Sequence, residues 1–144
     1  MILIVAIVLI IGGLFALPRF FNKSSGGLAS GVPCLVPNIP LVQHVHPHLQ
    51  ILVDGDEEIV PANVGLSGCE RALHTHDTTG EIHVEAQDTR EYTLGDFISV
   101  WGKDISWPGY TVTVKVDGKI SENPIEIPLK DKEQIVMEYE KISQ

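Results

Sequence analysis

An apolar run at the N-terminus limits the fold more than any other feature of this chain. Its 17 residues, MILIVAIVLIIGGLFAL, include no charged side chain, and Pro18 and Arg19 follow directly. An apolar helix of roughly 17 to 25 residues crosses the hydrocarbon core of a bilayer. We therefore expect residues 1–21 to form a single-pass transmembrane helix. A cleaved secretory signal is the alternative, but no basic stretch precedes the run and no clear small-residue cleavage site follows it.

The remaining sequence has room for one compact domain. Residues 22–31, NKSSGGLASG, have the composition of a flexible linker. Residues 32–144 then form the domain, since domains most often contain about 100 to 150 residues. The chain carries 19 Asp and Glu against 10 Lys and Arg, a formal net charge of -9. A phosphate backbone would be repelled by such a surface, which excludes nucleic-acid binding.

Alternating residues and turn signals predict a domain made mainly of strands. Residues 48–54 are followed by Gly55 and Asp56 and then by EEIVPA, and the Asp-Gly pair at residues 54–55 indicates a β-hairpin. In residues 81–86, EIHVEA, apolar and polar side chains alternate strictly, as they do in a strand with one buried face. Residues 110–116 and 134–139 have the composition of two further strands.

One short helix is predicted among these strands. Thr93 is a suitable N-cap and Gly102 a suitable C-cap, and between them apolar residues recur at helical spacing, at Leu94, Phe97, Ile98 and Trp101. This order of elements predicts an α+β domain with a small mixed, β-grasp-like sheet, preceded by the transmembrane helix. A small β-sandwich, with the helix reduced to a surface turn, is the competing fold.

All six histidines lie between positions 44 and 83, in three segments. Three occur at period two in QHVHPHLQ, so an extended backbone would place them on one face. Two more form an H-x-H pair, and the last lies on the polar face of EIHVEA. A single histidine would be read as an ordinary surface or core residue, but imidazole is the commonest protein metal ligand and H-x-H on a strand suits a shared ion. We therefore predict a transition-metal site whose candidate ligands, with His74, His76 and either His46 or His48 ranked first, are His44, His46, His48, His74, His76 and His83.

Three carboxylates lie close to these histidines in the sequence. Asp77 follows the H-x-H pair directly. It either accepts a hydrogen bond from the N–H of a metal-binding imidazole or begins a tight turn before Gly80. Glu81 and Glu85 flank His83 on its face of the strand. They are candidate ligands, and Glu85 a candidate partner of a liganding imidazole, although carboxylates on a strand face are usually just solvated.

Cys34 and Cys69 are the only cysteines. In an extracytoplasmic domain, two cysteines favour one disulfide. Such a bridge would close a loop of about 35 residues and stabilise the domain by roughly 3 to 4 kcal/mol. In the alternative, Cys69 is a thiolate ligand beside His74.

Three motifs between His44 and Gly102 carry a family resemblance. HPHLQILVDG, CERALHTHDTTGEIHVE and TLGDFISVWG resemble a family of small secreted or membrane-anchored archaeal and bacterial proteins with the patterns HxHPHL, LHTHDxxGxIHxE and LGxFxxWG. The resemblance implies an extracytoplasmic domain with a shared histidine site, and it does not imply a particular reaction. Arg19 and Lys23, which follow the apolar run, would by the positive-inside rule favour the opposite, cytoplasmic orientation.

Three functions fit these features. The first is a single-pass cell-membrane protein whose extracytoplasmic domain binds copper, or else zinc, as an accessory subunit or metal-delivery module of a membrane-protein complex. The second is a small metalloenzyme in which three histidines hold the metal and leave an open position. The third is a structural or assembly domain. No residue stands out as a catalytic base, so binding is favoured over catalysis.

Overall fold

The computed structural model describes residues 31–143. The expected transmembrane helix, residues 1–21, and residues 22–30 of the expected linker lie outside this part of the chain. Among the described residues, no helix has the length and apolar character needed to span a membrane. Within them the chain forms eight strands, one α-helix and one short 3₁₀ helix: β1 (Gln43–Val45), β2 (His48–Val53), β3 (Asp56–Glu58), β4 (Leu73–His74), β5 (His83–Ala86), α1 (Leu94–Trp101), β6 (Tyr110–Val116), β7 (Lys119–Ile120), the 3₁₀ helix (Pro124–Glu126) and β8 (Gln134–Lys141).

Five of the strands form a mixed sheet in the order β3-β2-β8-β6-β7. Strand β2 pairs with β3 through the predicted hairpin, whose turn residues Asp54 and Gly55 have φ values of 52° and 91°. On its other side β2 runs parallel to β8, and β8 runs antiparallel to β6. The expected mixed sheet, with strands on either side of one short helix in the sequence, is confirmed.

A second, three-stranded antiparallel sheet has the order β1-β5-β4. Its central strand shows the predicted alternation, because Ile82, Val84 and Ala86 are buried at 0–1% exposure. The side chains of His83 and Glu85 lie on the opposite face and are only partly covered. This sheet therefore presents one apolar face to the core and one polar face outward.

Helix α1 is the predicted helix, with both caps as expected. The Thr93 hydroxyl accepts a hydrogen bond from the Asp96 amide and the Asp96 carboxylate accepts one from the Thr93 amide, which together form a capping box. Gly102 ends the helix in the left-handed conformation at φ 74°. Leu94 and Phe97 have no exposed surface. The competing sandwich fold predicted a surface turn at these residues, and the chain forms a packed helix there instead.

The predicted disulfide joins Cys34 to Cys69. Backbone hydrogen bonds next to the disulfide join the same two segments: the Leu35 amide donates to the Glu70 carbonyl, and the Ala72 amide donates to the Pro33 carbonyl. The N-terminal segment of the domain is thereby fastened to the residues that lead into β4. The alternative interpretation of Cys69 as a thiolate ligand is wrong.

Candidate metal centre

The outer face of the three-stranded sheet gathers the imidazoles. His44 on β1 is the cross-strand partner of Glu85 on β5, and His74 on β4 is the partner of His83. Side chains of directly paired antiparallel residues lie on the same face, and His83 and Glu85 are two positions apart on one strand. Strand pairing alone thus brings three histidines and one carboxylate together from three segments.

Two further histidines extend this face. His46 and His76 each follow a strand histidine by two residues, and their rings lie 4.7 Å and 4.5 Å from that of His83 between centroids. The His44 and His46 rings are 4.8 Å apart, as are those of His74 and His76. The His74 ring stacks on that of His83 at 5.3 Å. His83, ranked behind His74 and His76 from the sequence, is therefore the residue on which both histidine pairs converge.

His74 is held in one tautomer inside the protein. Its side chain is fully buried, and its Nδ1 lies 2.8 Å from the Arg71 carbonyl oxygen. A carbonyl only accepts, so Nδ1 carries the proton and donates it. In the tautomer with its proton on Nδ1, Nε2 is an acceptor, and this atom is buried with no hydrogen-bond partner. The nearest carboxylate oxygen, of Glu70, is 3.8 Å away from it.

The position of the Arg71 carbonyl is fixed by its own surroundings. The Arg71 amide donates to the Gly65 carbonyl, and the Arg71 guanidinium donates to the Val32 carbonyl. Gly65 has φ 76°, and a Cβ there would lie 2.2 Å from the Leu73 carbonyl oxygen, so the loop packs directly on β4. A carbonyl held this firmly orients the His74 ring, as the outer partners of metal-binding histidines do.

His83 is kept neutral by its environment. Burial lowers its pKa from 6.5, because desolvation disfavours the imidazolium, and the neighbouring His76, His74 and His46 act in the same direction. The Glu85 carboxylate acts in the opposite direction. Its Oε1 lies 3.4 Å from His83 Nδ1, but that nitrogen, which is buried, makes no hydrogen bond. The form of His83 that binds metals therefore predominates at neutral pH.

Two sets of side chains have donor atoms within 4.8 Å of one another. We call the first the inner group and the second the outer group, and both include His83. Bonds of about 2.0 to 2.1 Å in a tetrahedral site place the donors about 3.4 Å apart, so shifts of about 1 Å would close either group on an ion. The inner group is His74, His76, His83 and Glu85; the outer group is His44, His46 and His83.

His48 is in neither group. Pro47 separates β1 from β2, so His48 begins the five-stranded sheet instead of continuing the strand of His44. Its Nε2 lies 2.7 Å from the Thr79 carbonyl oxygen and donates to it. His48 thereby holds the turn at residues 77–80 against β2. In this turn, Gly80 lies so close to the Leu49 carbonyl of β2 that there is no room for a Cβ atom.

Asp77 takes the second of its two predicted roles. Its Oδ1 accepts hydrogen bonds from the Thr79 amide at 2.9 Å and the Thr79 hydroxyl at 2.6 Å. These bonds lower the pKa of Asp77, and the nearby His83 and His76 contribute to the same shift. The expected contact between Asp77 and an imidazole N–H is therefore replaced by a turn contact.

Three groups at this face were not expected from the sequence. The Glu70 carboxylate faces His74, and the Asp131 carboxylate accepts a hydrogen bond from the His46 amide and lies 3.9 Å from His46 Nδ1. The third is the Arg71 carbonyl. Glu70 directly follows Cys69, so the predicted disulfide could have indicated that Glu70 lies near the site. Asp131 comes from a loop distant in the sequence, and no sequence pattern indicates it. The Arg71 carbonyl belongs to the backbone, so no residue type identifies it.

The chain was also compared with known proteins. No family model, no curated protein and no solved structure matches it.

Proposed function

We propose that this protein binds a transition metal ion, copper before zinc, at the inner group His74, His76, His83 and Glu85. The observation that carries the proposal is the buried His74 ring, whose Nδ1 donates to a carbonyl and whose Nε2 has no partner. A buried polar atom left unpaired costs about 1 to 3 kcal/mol, and such atoms in native proteins usually have a specific reason. A metal ion bound to Nε2 supplies one.

The donor chemistry selects the class of metal. With Cys34 and Cys69 joined, the inner group offers three imidazole nitrogens and one carboxylate oxygen and no thiolate. Imidazole suits copper and zinc, and copper(II) has the highest affinity of the divalent first-row ions for a given nitrogen and oxygen site. Zinc accepts the same four donors in a tetrahedron.

The arrangement favours binding and transfer over catalysis. Four donors complete the tetrahedron of a zinc ion or the plane of a copper(II) ion, and they leave no strong ligand position for a substrate. His74 closes the inner side of the site while His76 is exposed, so an ion would enter and leave past His76. We propose that the protein receives or delivers the ion as an accessory subunit or metal-delivery module of a membrane-protein complex.

The setting is part of the same proposal. The apolar run of residues 1–17 supports a membrane anchor, and the disulfide supports an extracytoplasmic domain, because disulfides persist in oxidising compartments. The β-grasp likeness is supported by the parallel pairing of β2, from the first hairpin, with the last strand β8. We also propose that the resembling family shares the site, since His74, His76 and His83 all lie in its central motif.

A small metalloenzyme is the second candidate, and one contact favours it. Glu85 Oε1 lies 3.3 Å from His44 Nε2. If that pair persists, His74, His76 and His83 alone hold the metal and leave a position open. Glu81, with its Oε1 3.4 Å from His83 Nε2, would be the nearby base. Proton relaxation by the native protein loaded with copper(II) or cobalt(II), which reports metal-bound water, distinguishes an open site from a filled one.

Metal analysis of the full chain tests the proposal. Protein loaded with copper or zinc and then dialysed should retain metal, and His74→Asn should retain one equivalent less. His48→Gln is the matched control, because His48 is a histidine of the same region outside both groups, and it should retain as much as the native protein. Native protein that retains neither metal would rule the function out.

A further inference from the structure

We infer that the outer group holds a second metal ion, and that the His83 ring bridges the two ions. This inference rests on the proposed function, since it takes the inner group as the first site. It adds a two-ion centre, with copper(II) or zinc in both positions, to a protein that otherwise binds one ion.

The number of donors calls for a second ion. The inner group already supplies the four donors of a tetrahedral ion. Two more imidazoles, His44 and His46, remain on the same face, and their nitrogens lie within 4.8 Å of one another and of a nitrogen of His83. Three histidines are a complete protein ligand set for a catalytic-type zinc or a copper ion.

The position of His83 suits a bridge. It lies on the central strand of the three-stranded sheet, with His74 paired to it from β4 and His44 paired to Glu85 from β1. The imidazoles therefore reach it from the two opposite neighbouring strands. An imidazole carries a donor nitrogen on each of two edges of its ring, so one ring can bind one ion towards each neighbour.

Carboxylates at this face balance the added charge. Glu85 Oε1 lies 3.3 Å from His44 Nε2 and 3.4 Å from His83 Nδ1, between the two groups. Glu81 lies 3.4 Å from the other nitrogen of His83, and Asp131 lies beside His46. When both His83 nitrogens bind metal, the ring gives up its remaining N–H proton to water, and the resulting anion lies between two cations.

Copper stoichiometry and electron paramagnetic resonance test the bridge on the full chain. Native protein titrated with copper(II) should bind two equivalents, and the two spins, coupled through one ring, should give a signal well below that expected from the copper measured chemically. The double variant His44→Ala/His46→Ala should bind one equivalent and give a signal that accounts for all of it. His48→Gln should behave as the native protein.

The outcomes separate the two proposals. One equivalent in both the native protein and the double variant would overturn the second ion and leave the inner site intact. Two equivalents with full, uncoupled signal would overturn the bridge. No bound copper in the native protein would overturn the proposed function itself. The His44 and His46 side chains are 56% and 32% exposed, so their replacement should leave the fold intact, and the native signal tests the bridge without any variant.

Discussion

Replacing His74 separates its structural contact from its role as a ligand. In His74→Asn, the amide nitrogen of Asn takes the place of Nδ1 and still donates to the Arg71 carbonyl, but nothing replaces Nε2. In His74→Ala both are lost. Unpairing the buried Arg71 carbonyl costs about 1 to 3 kcal/mol, and the space left by the ring adds to this. We expect the metal-free alanine variant to lose about 3 kcal/mol of unfolding free energy and the asparagine variant about 1 kcal/mol.

Stabilisation by bound metal should not rank the proteins in the same way as their metal-free stability, because both His74 variants lose the ligand Nε2. An ion present at 100 times its dissociation constant stabilises the folded protein by about 2.7 kcal/mol. Removing a residue that is hydrogen-bonded to a metal ligand lowers metal affinity by up to about 100-fold, and removing the ligand itself should lower the affinity at least as much. The same ion concentration would then stabilise either variant through the inner group by only about 0.4 kcal/mol. For a domain of about 110 residues this is a rise in Tm of about 2 °C, against about 11 to 16 °C in the native protein.

Thermal unfolding of the three proteins, each carrying His44→Ala/His46→Ala so that only the inner group can bind metal, measures both effects with chelator and with excess zinc. The asparagine variant should be close to native in chelator and should show almost no rise with zinc. His48→Gln, in which the Gln amide can still reach the Thr79 carbonyl, should keep the full rise. A His74→Asn variant that retains the native rise would refute the assignment of Nε2 as a ligand.

Three further predictions concern the surrounding structure. Replacing Cys34 and Cys69 by serine should lower the unfolding free energy in urea by about 3 to 4 kcal/mol and weaken zinc binding, because the loop that holds the Arg71 carbonyl loosens; unchanged zinc affinity would contradict that link. Metal-free protein should lose stability as the pH falls below 6.5, since the lowered pKa of His83 means that the unfolded chain binds the extra proton first; urea titrations from pH 5 to 8 should show the slope, and His83→Asn should reduce it. Gly80→Ala should destabilise the domain far more than Gly55→Ala, because both have positive φ but only at Gly80 would a Cβ meet a carbonyl; equal losses in urea would count against the close packing of the turn on β2.

The sequence predicted best the features that local chemistry decides. The alternation in residues 81–86, the Asp-Gly turn and the two caps of α1 each depend on neighbouring residues, and the structure has them where they were expected. The disulfide followed from the even cysteine count in an expected extracytoplasmic domain, with a Cys69 thiolate ligand as the alternative. The alternation, the turn and the caps are short-range patterns, and no distant contact was needed to recognise them.

The arrangement of the site depends on distant contacts and was only partly foreseen. Period two predicted one face for His44, His46 and His48, but Pro47 moves the chain from one sheet to the other, and its carbonyl accepts the Ile82 amide there. The central position of His83 follows from which strands pair, and strand pairing cannot be read from alternation within one strand. Asp131 reaches His46 from 85 positions away.

The parallel pairing of β2 with β8 affects the order in which parts of the protein can form during synthesis. Paired residues such as Val53 and Tyr139 lie 86 positions apart along the chain, so the five-stranded sheet stays incomplete until the C-terminal strand has been made. The three-stranded sheet contains no residue beyond Ala86 and can assemble earlier. The His46 backbone, however, is held by Asp131 and Lys132. A newly made chain would thus position His74 and His83 first and fix His46 only when its last residues arrive.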